Sequence, residues 1–309
     1  MNVDRRGTSI DDAVAFYEGV YSSDNIHVGR SAADGFSWRF RAVGDENVAV
    51  GTSSVAANRW GTVGQQDVYM LAWATGPGLT LDSAARSPIQ MVPGTPVMYP
   101  SDREFEFEAR PTTQHLIRFD KTFLESVAAA HAGMIPGPLK FTTTAKPDAA
   151  ARLRQVIRSA SPELLNSATD RARRSTLNML VAEAAVEAYD ATPTLDILRH
   201  EGPASMRLAQ EWMIANAHRP ITVTDVARAV GINSRGLQAN FQRHAGESPL
   251  SFLRTVRLHH VRAQLVIAEP DVTTVAEIAR RWGFGHLGRF AAYYANAFGE
   301  LPSETLRRG

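Results

Sequence analysis

The chain has 309 residues, of which 44% are hydrophobic and 21% charged, and its formal net charge is +1. These values are ordinary for a soluble globular protein long enough to form two domains. The chain has no cysteine, which excludes disulfides, thiolate zinc sites and cysteine nucleophiles and fits a reducing cytosol. Neither an apolar run of roughly 20 residues nor a signal-type segment is present, so we expect a cytoplasmic protein with no membrane partner.

The charge is distributed unevenly along the chain. From residue 200 onward there are 13 arginines, no lysine and nine acidic residues, a net charge of +4. Residues 1–199 carry 20 basic and 23 acidic residues, a net charge of −3. The C-terminal part is therefore the better candidate for contact with a polyanion.

Short strands are predicted through most of the first 120 residues. A helix over 9–20, with Ser9 as its N-cap, precedes them. Alternating apolar and polar residues then mark strands at about 25–119, separated by glycine- and proline-containing turns such as Gly76–Gly78. Many short strands with regular turns predict a β-sandwich or a small barrel.

Helices are predicted from about residue 120 onward, over 121–131, 148–159 and 169–190. The longest of these has an apolar face, made of Leu177, Leu180, Val181, Ala184 and Ala188. That face could pack on the β-rich part or pair with a second protomer, and the sequence leaves both open.

Residues 191–204 form the expected linker between two domains. Residues 1–190 make up a β-rich domain, with strands at about 25–119 and helices at about 120–190. Residues 205–309 make up an all-helical domain. The expected fold class is therefore α+β with two domains.

The last ninety or so residues contain an internal repeat. Six residues recur 52 positions later: Thr222, Asp225, Val226, Ala227, Arg228 and Gly231 return as Thr274, Glu277, Ile278, Ala279, Arg280 and Gly283. Past the glycine the offset is 53, and Leu237 and Phe241 match Phe290 and Tyr294. Each copy predicts a helix, a tight glycine turn and a second helix. This is the helix-turn-helix unit, over about 222–244 and 274–298.

Each repeated position has a physical reason. Thr222 with Asp225 can form a capping box at a helix start, and so can Thr274 with Glu277. Gly231 and Gly283 allow the left-handed backbone that ends a helix and turns the chain sharply. The apolar residues of both copies face inward, among them Ala227, Leu237, Phe241, Ala279, Phe290 and Tyr294. The opposite face of the second helix of each copy is left for DNA.

A helix over 250–267 joins the two units, with Leu253, Val256, Val261 and Leu265 roughly on one side. Successive major grooves on one face of DNA lie about 34 Å apart. A stiff connector would therefore set the spacing of the two DNA-reading helices.

Three stretches, Asn233–Pro249, Arg257–Leu258 and Ala279–Pro302, carry a resemblance to a known family. They make residues 205–308, about a third of the chain, similar to the DNA-binding domain of AraC/XylS-type transcriptional regulators. The resemblance implies binding to double-stranded DNA near promoters, usually as an activator that can contact RNA polymerase. It also implies that residues 1–199 look like the family's cupin-like barrel or sandwich, which senses an effector or dimerises.

Exposed residues early on the second, recognition helix of such a unit meet base edges. In the first unit these are Ser234, Arg235, Gln238, Ala239 and Gln242. Arg235 could bind guanine and Gln238 adenine, each through two hydrogen bonds. The corresponding residues of the second unit are Leu287, Gly288, Arg289 and Ala292. Because only Arg289 among them offers strong hydrogen bonds, we expect this unit to contribute positioning and shape more than sequence reading.

Four arginines are candidates for contacts with DNA phosphates, namely Arg254, Arg257, Arg262 and Arg281. Arg257 could instead hold a helix interface together. Two histidines of the connecting helix, His259 and His260, are expected at the surface rather than as ligands.

The N-terminal domain shows no pattern typical of an enzyme. Its histidines, His27, His115 and His131, lie far apart without an H-x-H pair, so a metal site is not expected. No G-x-S-x-G, H-E-x-x-H, P-loop or dinucleotide fingerprint occurs. We therefore predict neither a cofactor nor a catalytic residue.

The strands of this domain are rich in aromatic residues, which can fill the core or line an apolar pocket. Arg39, Arg41 and Arg118 alternate with apolar residues and are expected to face outward. No effector-binding residue can be identified from this pattern.

The sequence thus predicts a sequence-specific DNA-binding transcriptional regulator, and not an enzyme, controlled by a small effector through its N-terminal domain. One alternative is that this domain binds a protein partner or only forms a homodimer. A remote alternative is a cupin-type metal enzyme fused to a helix-turn-helix domain, which metal analysis of the protein would test.

Overall fold

A computed structural model describes residues 2–29, 35–142, 144–193 and 200–308. The chain divides into two compact units, Met1–Leu124 with Phe141–Ala191 and Glu125–Lys140 with Thr192–Gly309. The first unit is rich in strands and the second is mainly helical, which confirms the predicted fold class. None of the described helices is long and apolar enough to cross a membrane.

The strands of the first unit form two antiparallel sheets. Their bounds are β1 (Asn2–Gly7), β2 (Ile26–Val28), β3 (Trp38–Gly44), β4 (Val48–Val55), β5 (Arg59–Val63), β6 (Val68–Ala74), β7 (Leu79–Leu81), β8 (Ile89–Gln90), β9 (Val97–Met98), β10 (Phe105–Ala109) and β11 (Thr112–Asp120). The six-stranded sheet has the order β1-β3-β4-β11-β6-β9, and the five-stranded sheet has the order β2-β5-β10-β7-β8.

The helices up to residue 190 are α1 (Ile10–Tyr21), α2 (Lys121–Ala132), α3 (Pro147–Leu164) and α4 (Arg171–Ala188). Ser9 caps α1 as predicted, because its hydroxyl accepts a hydrogen bond from the backbone of Asp12 at 3.2 Å. The predicted apolar face of α4 is buried except for Leu180, which is 45% exposed. Packing of this face within the unit is therefore present, and only Leu180 remains available to a second protomer.

In the first unit, one strand was not expected from the sequence. β1 consists mostly of polar residues, so it has no apolar alternation, yet it pairs with β3 at the edge of the six-stranded sheet. Arg39 of β3 donates two hydrogen bonds to the carboxylate of Asp4, at 3.0 and 2.7 Å. Backbone pairing and this exposed ion pair, rather than burial, hold the strand in place.

Aromatic side chains from α1 and both sheets fill the core of the first unit, among them Tyr17, Tyr21, Trp38, Phe40, Phe105 and Phe107. Because side chains alternate along a strand, Arg39 and Arg41 are exposed between buried neighbours, as expected. Arg118 differs from that expectation. It lies two residues after the core residue Leu116, so it shares the inward face of β11, and burial lowers its pKa.

Arg59 of β5 is a buried cation, with only 3% of the residue exposed. Its Nη1 donates a hydrogen bond to the Ser53 hydroxyl at 3.3 Å, and the guanidinium lies 5.7 Å from the centroid of the Tyr17 ring. Among the described residues, its Nη2 has no hydrogen-bond partner. Burying a charge without a carboxylate partner is costly, so the charge of Arg59 lowers the free energy of unfolding of the first unit.

We expect Arg59→Met to raise the free energy of unfolding of the first unit by about 1–3 kcal/mol, because methionine fills similar space without a charge to desolvate. In thermal unfolding of the full chain, this corresponds to a rise of a few degrees in the midpoint. Arg39→Met, at an exposed ion pair, is the control and should change the midpoint little. A lower midpoint for Arg59→Met would show that the contacts with Ser53 and Tyr17 outweigh desolvation.

The second unit contains seven further helices among its described residues, namely α5 (Ala204–Ala215), α6 (Val223–Ala229), α7 (Ser234–Ala245), α8 (Pro249–Ile267), α9 (Val275–Arg281), α10 (Leu287–Phe298) and α11 (Pro302–Arg308). A short strand pair, β12 (Leu139–Lys140) with β13 (Thr192–Pro193), belongs to the same unit.

The boundary of the helical unit differs from the predicted one. Residues 125–140, expected in the N-terminal domain, group with the second unit. The reason is packing: Ile135 is 4% exposed and shares a core with Met206 and Met213 of α5. Part of the predicted linker is structured, since Thr192–Pro193 form β13, whereas its residues 194–199 lie outside the described part.

Candidate DNA-binding site

Both helix-turn-helix units begin with the same capping box. The backbone N–H of Asp225 donates to the Thr222 hydroxyl at 3.3 Å, and the backbone N–H of Thr222 donates to the Asp225 carboxylate at 2.9 Å. Thr274 and Glu277 repeat these two hydrogen bonds at the same distances. Hydrogen bonds from the threonine stabilise the ionised carboxylate and lower the pKa of both acids. Each cap fixes where the first helix of its unit starts.

The turns of the two units differ in one detail. Gly231 and Gly283 both have left-handed backbone, with φ of 71° and 81°, which only glycine adopts without strain. Asn233 then caps α7, because its side chain accepts a hydrogen bond from the Gly236 N–H at 2.7 Å. The second helix-turn-helix unit has one additional residue after its glycine. There, His286 precedes α10 without a side-chain cap. The first recognition helix therefore has the more firmly capped start.

One face of α7 is buried and the other is available to a ligand. Leu237 and Phe241 are fully buried against α5, α6 and α8. The candidate base-contact residues Arg235, Gln238, Ala239 and Gln242 are all exposed, and Ser234 is partly exposed. α7 contains no acidic residue, so nothing along it repels a phosphate backbone.

The corresponding face of α10 is less polar. Phe290 and Tyr294 are buried, and the Tyr294 hydroxyl lies 2.8 Å from that of Thr305 in α11. Arg289 is exposed, with Gly288 and Ala292 beside it. Among the four candidate residues of this helix, only Arg289 offers strong hydrogen bonds, which fits a positioning role better than base reading.

The connecting helix α8 belongs to the cores of both units. Phe252, Leu253 and Val256 of its first half pack with α5–α7. Leu258, Val261 and Leu265 of its second half pack with α9–α11. α8 has 19 residues and is therefore about 28 Å long. A rigid rod of this length, anchored at both ends, can fix the separation of α7 and α10.

The four arginines predicted to contact phosphates lie in different surroundings. The guanidinium of Arg254 lies 4.4 Å from the centroid of the Tyr293 ring on α10. Arg281 is exposed, and its Nη1 is 3.5 Å from the Gln264 side chain. Arg262 is 3.5 Å from the Glu300 carboxylate and 4.8 Å from the centroid of the Phe298 ring. Arg254 and Arg281 can still reach a phosphate, whereas Arg262 is already paired.

Arg257 has the alternative role that the sequence left open, so its assignment to phosphate needs correction. Its Nε donates to the Ala217 carbonyl at 2.9 Å, and its Nη2 donates to the Arg219 carbonyl at 2.7 Å. The same side chain lies against the turn of the second unit, where a Cβ added at Gly283 would be 3.1 Å from Nη1. Arg257 thus connects the segment that precedes the first helix-turn-helix unit to the glycine turn of the second helix-turn-helix unit.

His259 and His260 are partly buried, contrary to the expectation that they lie at the surface. The His260 ring stacks on the indole of Trp282 with centroids 4.1 Å apart and planes 5° apart, and His259 meets Phe298 edge to face at 5.2 Å. The pKa of each histidine is lowered to about 4, mainly by burial. The nearby charge of Arg262 contributes to the lowering for His259, and His259 contributes to it for His260. Both are packing residues, and their aromatic partners lie too far along the chain for a local pattern to identify them.

Comparison with known proteins agrees with this architecture. Residues 226–308 match the family model described as a helix-turn-helix domain. The "Probable thc operon regulatory protein" of Rhodococcus erythropolis is 46% identical over 105 residues, which are 34% of this chain and 32% of that protein. The "XylDLEGF operon transcriptional activator 2" of Pseudomonas putida is 35% identical over 106 residues, 34% of this chain and 68% of that protein. The chain belongs to the AraC/XylS family of transcriptional regulators.

A probable AraC family transcriptional regulator from Rhodopseudomonas palustris CGA009 has a similar solved structure. It has 42% sequence identity and a TM-score of 0.32, and the match covers 34% of this chain and 97% of that one. The chain spans about a third to two fifths of the first curated AraC/XylS relatives it matches.

Proposed function

We propose that this chain is a sequence-specific DNA-binding transcriptional regulator that acts as an activator in the cytoplasm. In this proposal α7 and α10 enter two successive major grooves on one face of double-stranded DNA. The observation that supports it most is α8, which is shared by the cores of both helix-turn-helix units. A shared rod keeps two recognition helices at one separation, as binding to two adjacent grooves requires.

We further propose that the two helix-turn-helix units have different roles. Arg235 and Gln238 read bases in the first groove, with Ser234, Ala239 and Gln242 beside them. Arg289 positions the second unit, and Arg254 and Arg281 bind phosphates. The proposal is supported by the exposure of Arg235, Gln238, Arg281 and Arg289 and by the absence of acidic residues from α7 and α10.

The N-terminal unit is proposed to control DNA binding, or contact with RNA polymerase, in response to a small effector. The alternative is that it binds a protein partner or forms a homodimer, for which the exposed Leu180 of α4 is the available apolar side chain. Sedimentation of the full chain with and without Leu180→Glu tests the homodimer, because a charge at the interface would dissociate it.

Footprinting of the chain on its own upstream DNA at physiological salt tests the proposed function. We expect a protected patch of about two helical turns, because the two recognition helices occupy adjacent grooves. Protection should survive competition by unrelated DNA. Coating that disappears with modest salt and shows no sequence preference would instead indicate phosphate attraction alone.

A further inference from the structure

An arginine of the connecting helix lies over an aromatic ring of the second recognition helix. The Cζ atom of Arg254, on α8, is 4.4 Å from the centroid of the Tyr293 ring, on α10. The neighbour of Arg254 in the chain, Leu253, belongs to the core of the first helix-turn-helix unit. The contact therefore joins the first half of the connector to the second unit, and it depends on the separation of the units that α8 sets.

Tyr293 lies on the face of α10 that is proposed to meet DNA. Arg289 and Tyr293 are four residues apart, so they lie on one side of the helix, and both are exposed. Tyr293 is about one turn, or about 5.4 Å, further along the helix from the N-terminal residues that meet base edges. We therefore expect its surroundings to face the phosphates that border the groove.

The guanidinium of Arg254 is available to an anion. Neither α8 nor α10 contains an acidic residue, and within the described ranges of the chain the Arg254 side chain makes no ion pair or hydrogen bond. The other two arginines of α8 are engaged, Arg257 by two backbone carbonyls and Arg262 by the carboxylate of Glu300. Arg254 is thus the arginine of this helix with N–H groups to offer.

Stacking on a ring leaves these N–H groups free while it restricts the side chain. The ring covers one flat face of the guanidinium, whereas the N–H groups point outward in its plane, where they can donate two parallel hydrogen bonds to a phosphate. A side chain already held in one orientation loses less conformational entropy when it binds. Arg281 differs, because its contact with the Gln264 side chain is a long one of 3.5 Å.

We propose that Tyr293 is a positioning residue, which holds Arg254 in the orientation in which it binds a DNA phosphate. The inference rests on the proposed function, because it requires both helix-turn-helix units to bind one duplex. Since Arg254 belongs to the connector and Tyr293 to the second recognition helix, the pair is a phosphate clamp at the junction of the two units. The tyrosine acts through its ring, and its hydroxyl is not needed.

Fluorescence anisotropy of the full chain, with a labelled random-sequence duplex and with the chain's own upstream DNA, tests the clamp at several salt concentrations. Arg254→Gln should weaken binding to both duplexes about tenfold and reduce the salt dependence by about one ion. Tyr293→Leu removes the ring and should weaken both about twofold to fivefold. Tyr293→Phe keeps the ring without the hydroxyl and should bind as the unchanged chain does.

A double-mutant cycle separates positioning from a merely structural role. Tyr293→Leu should have almost no further effect in Arg254→Gln, because the arginine that the ring holds is gone. The effect of Tyr293→Leu should persist in Arg281→Gln, the matched control. Independent effects of Tyr293→Leu and Arg254→Gln, or a loss of affinity in Tyr293→Phe as large as in Tyr293→Leu, would overturn the proposal.

The two duplexes distinguish failure of the clamp from failure of the proposed function. Equal affinity of the unchanged chain for both would contradict sequence-specific binding, and coupling in the cycle would still support the clamp, because phosphate contacts do not depend on sequence. A preference for the upstream DNA together with unchanged affinity in Arg254→Gln would contradict the clamp alone.

Discussion

Arg235→Ala is expected to weaken binding to a protected DNA site by about 1–3 kcal/mol, which is roughly tenfold to a hundredfold, and to relax the preference at one base pair. The physical reason is the loss of a guanidinium that can donate two parallel hydrogen bonds to guanine. Gln238→Ala should relax the preference at a different base pair by a similar amount, because its amide can both donate to and accept from adenine. Competition between site variants, measured at one fixed salt concentration, resolves the two positions.

Arg281→Ala provides the contrast for this prediction. A residue that contacts only phosphate should lower affinity uniformly across DNA sequences and reduce the salt dependence by about one ion. Thermal unfolding should be close to unchanged for Arg235→Ala, Gln238→Ala and Arg281→Ala, since all three side chains are exposed. If Arg235→Ala behaved as Arg281→Ala does, with no change of preference at any base pair, α7 would not be the reading helix.

The free energy of unfolding of the helical compact unit, Glu125–Lys140 with Thr192–Gly309, is expected to fall as the pH decreases from about 6.5 to about 4. His259 and His260 have pKa values lowered to about 4 in the folded chain, whereas an unfolded histidine titrates near 6.5. Between these values the unfolded chain binds more protons, so acid favours unfolding. The full effect is at most about 3 kcal/mol for each histidine. Urea unfolding of the full chain at several pH values measures it.

His260→Phe isolates the contribution of one ring. Phenylalanine can keep the stack on Trp282 but binds no proton, so the pH dependence of this variant should be shallower by up to half over the same range. His244→Asn, at an exposed position of α7, is the control and should leave the pH dependence unchanged. An equally steep dependence in His260→Phe would assign the acid sensitivity to carboxylates rather than to His259 and His260.

The helix-turn-helix units could be predicted because their signals are local. A capping box involves residues three apart, and a glycine turn depends on one residue, so Thr222, Asp225 and Gly231 carry their own structural information. The repeat at Thr274, Glu277 and Gly283 made the pattern specific. The exposed face of α7 followed from the spacing of Leu237 and Phe241, since residues four apart lie on one side of a helix.

The roles that the sequence did not predict depend on partners far along the chain. The sequence left open a helix-interface role for Arg257, but nothing near Arg257 in the sequence indicates its partner, the carbonyl of Ala217, which is 40 residues away. Arg118 has an apolar neighbour on each side, so alternation alone did not reveal which face of β11 is the core face. β1 has no apolar pattern, and only its pairing with β3 defines it. These contacts are consequences of tertiary packing rather than of local preference.

The placement of Ile135 has a consequence for the order of events during protein synthesis. Ile135 is translated about seventy residues before Met206 and Met213, the core residues beside which it packs. At elongation rates of about 5–20 residues per second this interval lasts on the order of several seconds. During that time its apolar side chain has no partner from α5, and nascent-chain chaperones can reach it. A shortened gene that encodes only residues 200–309 would produce a helical unit lacking one of its own core side chains.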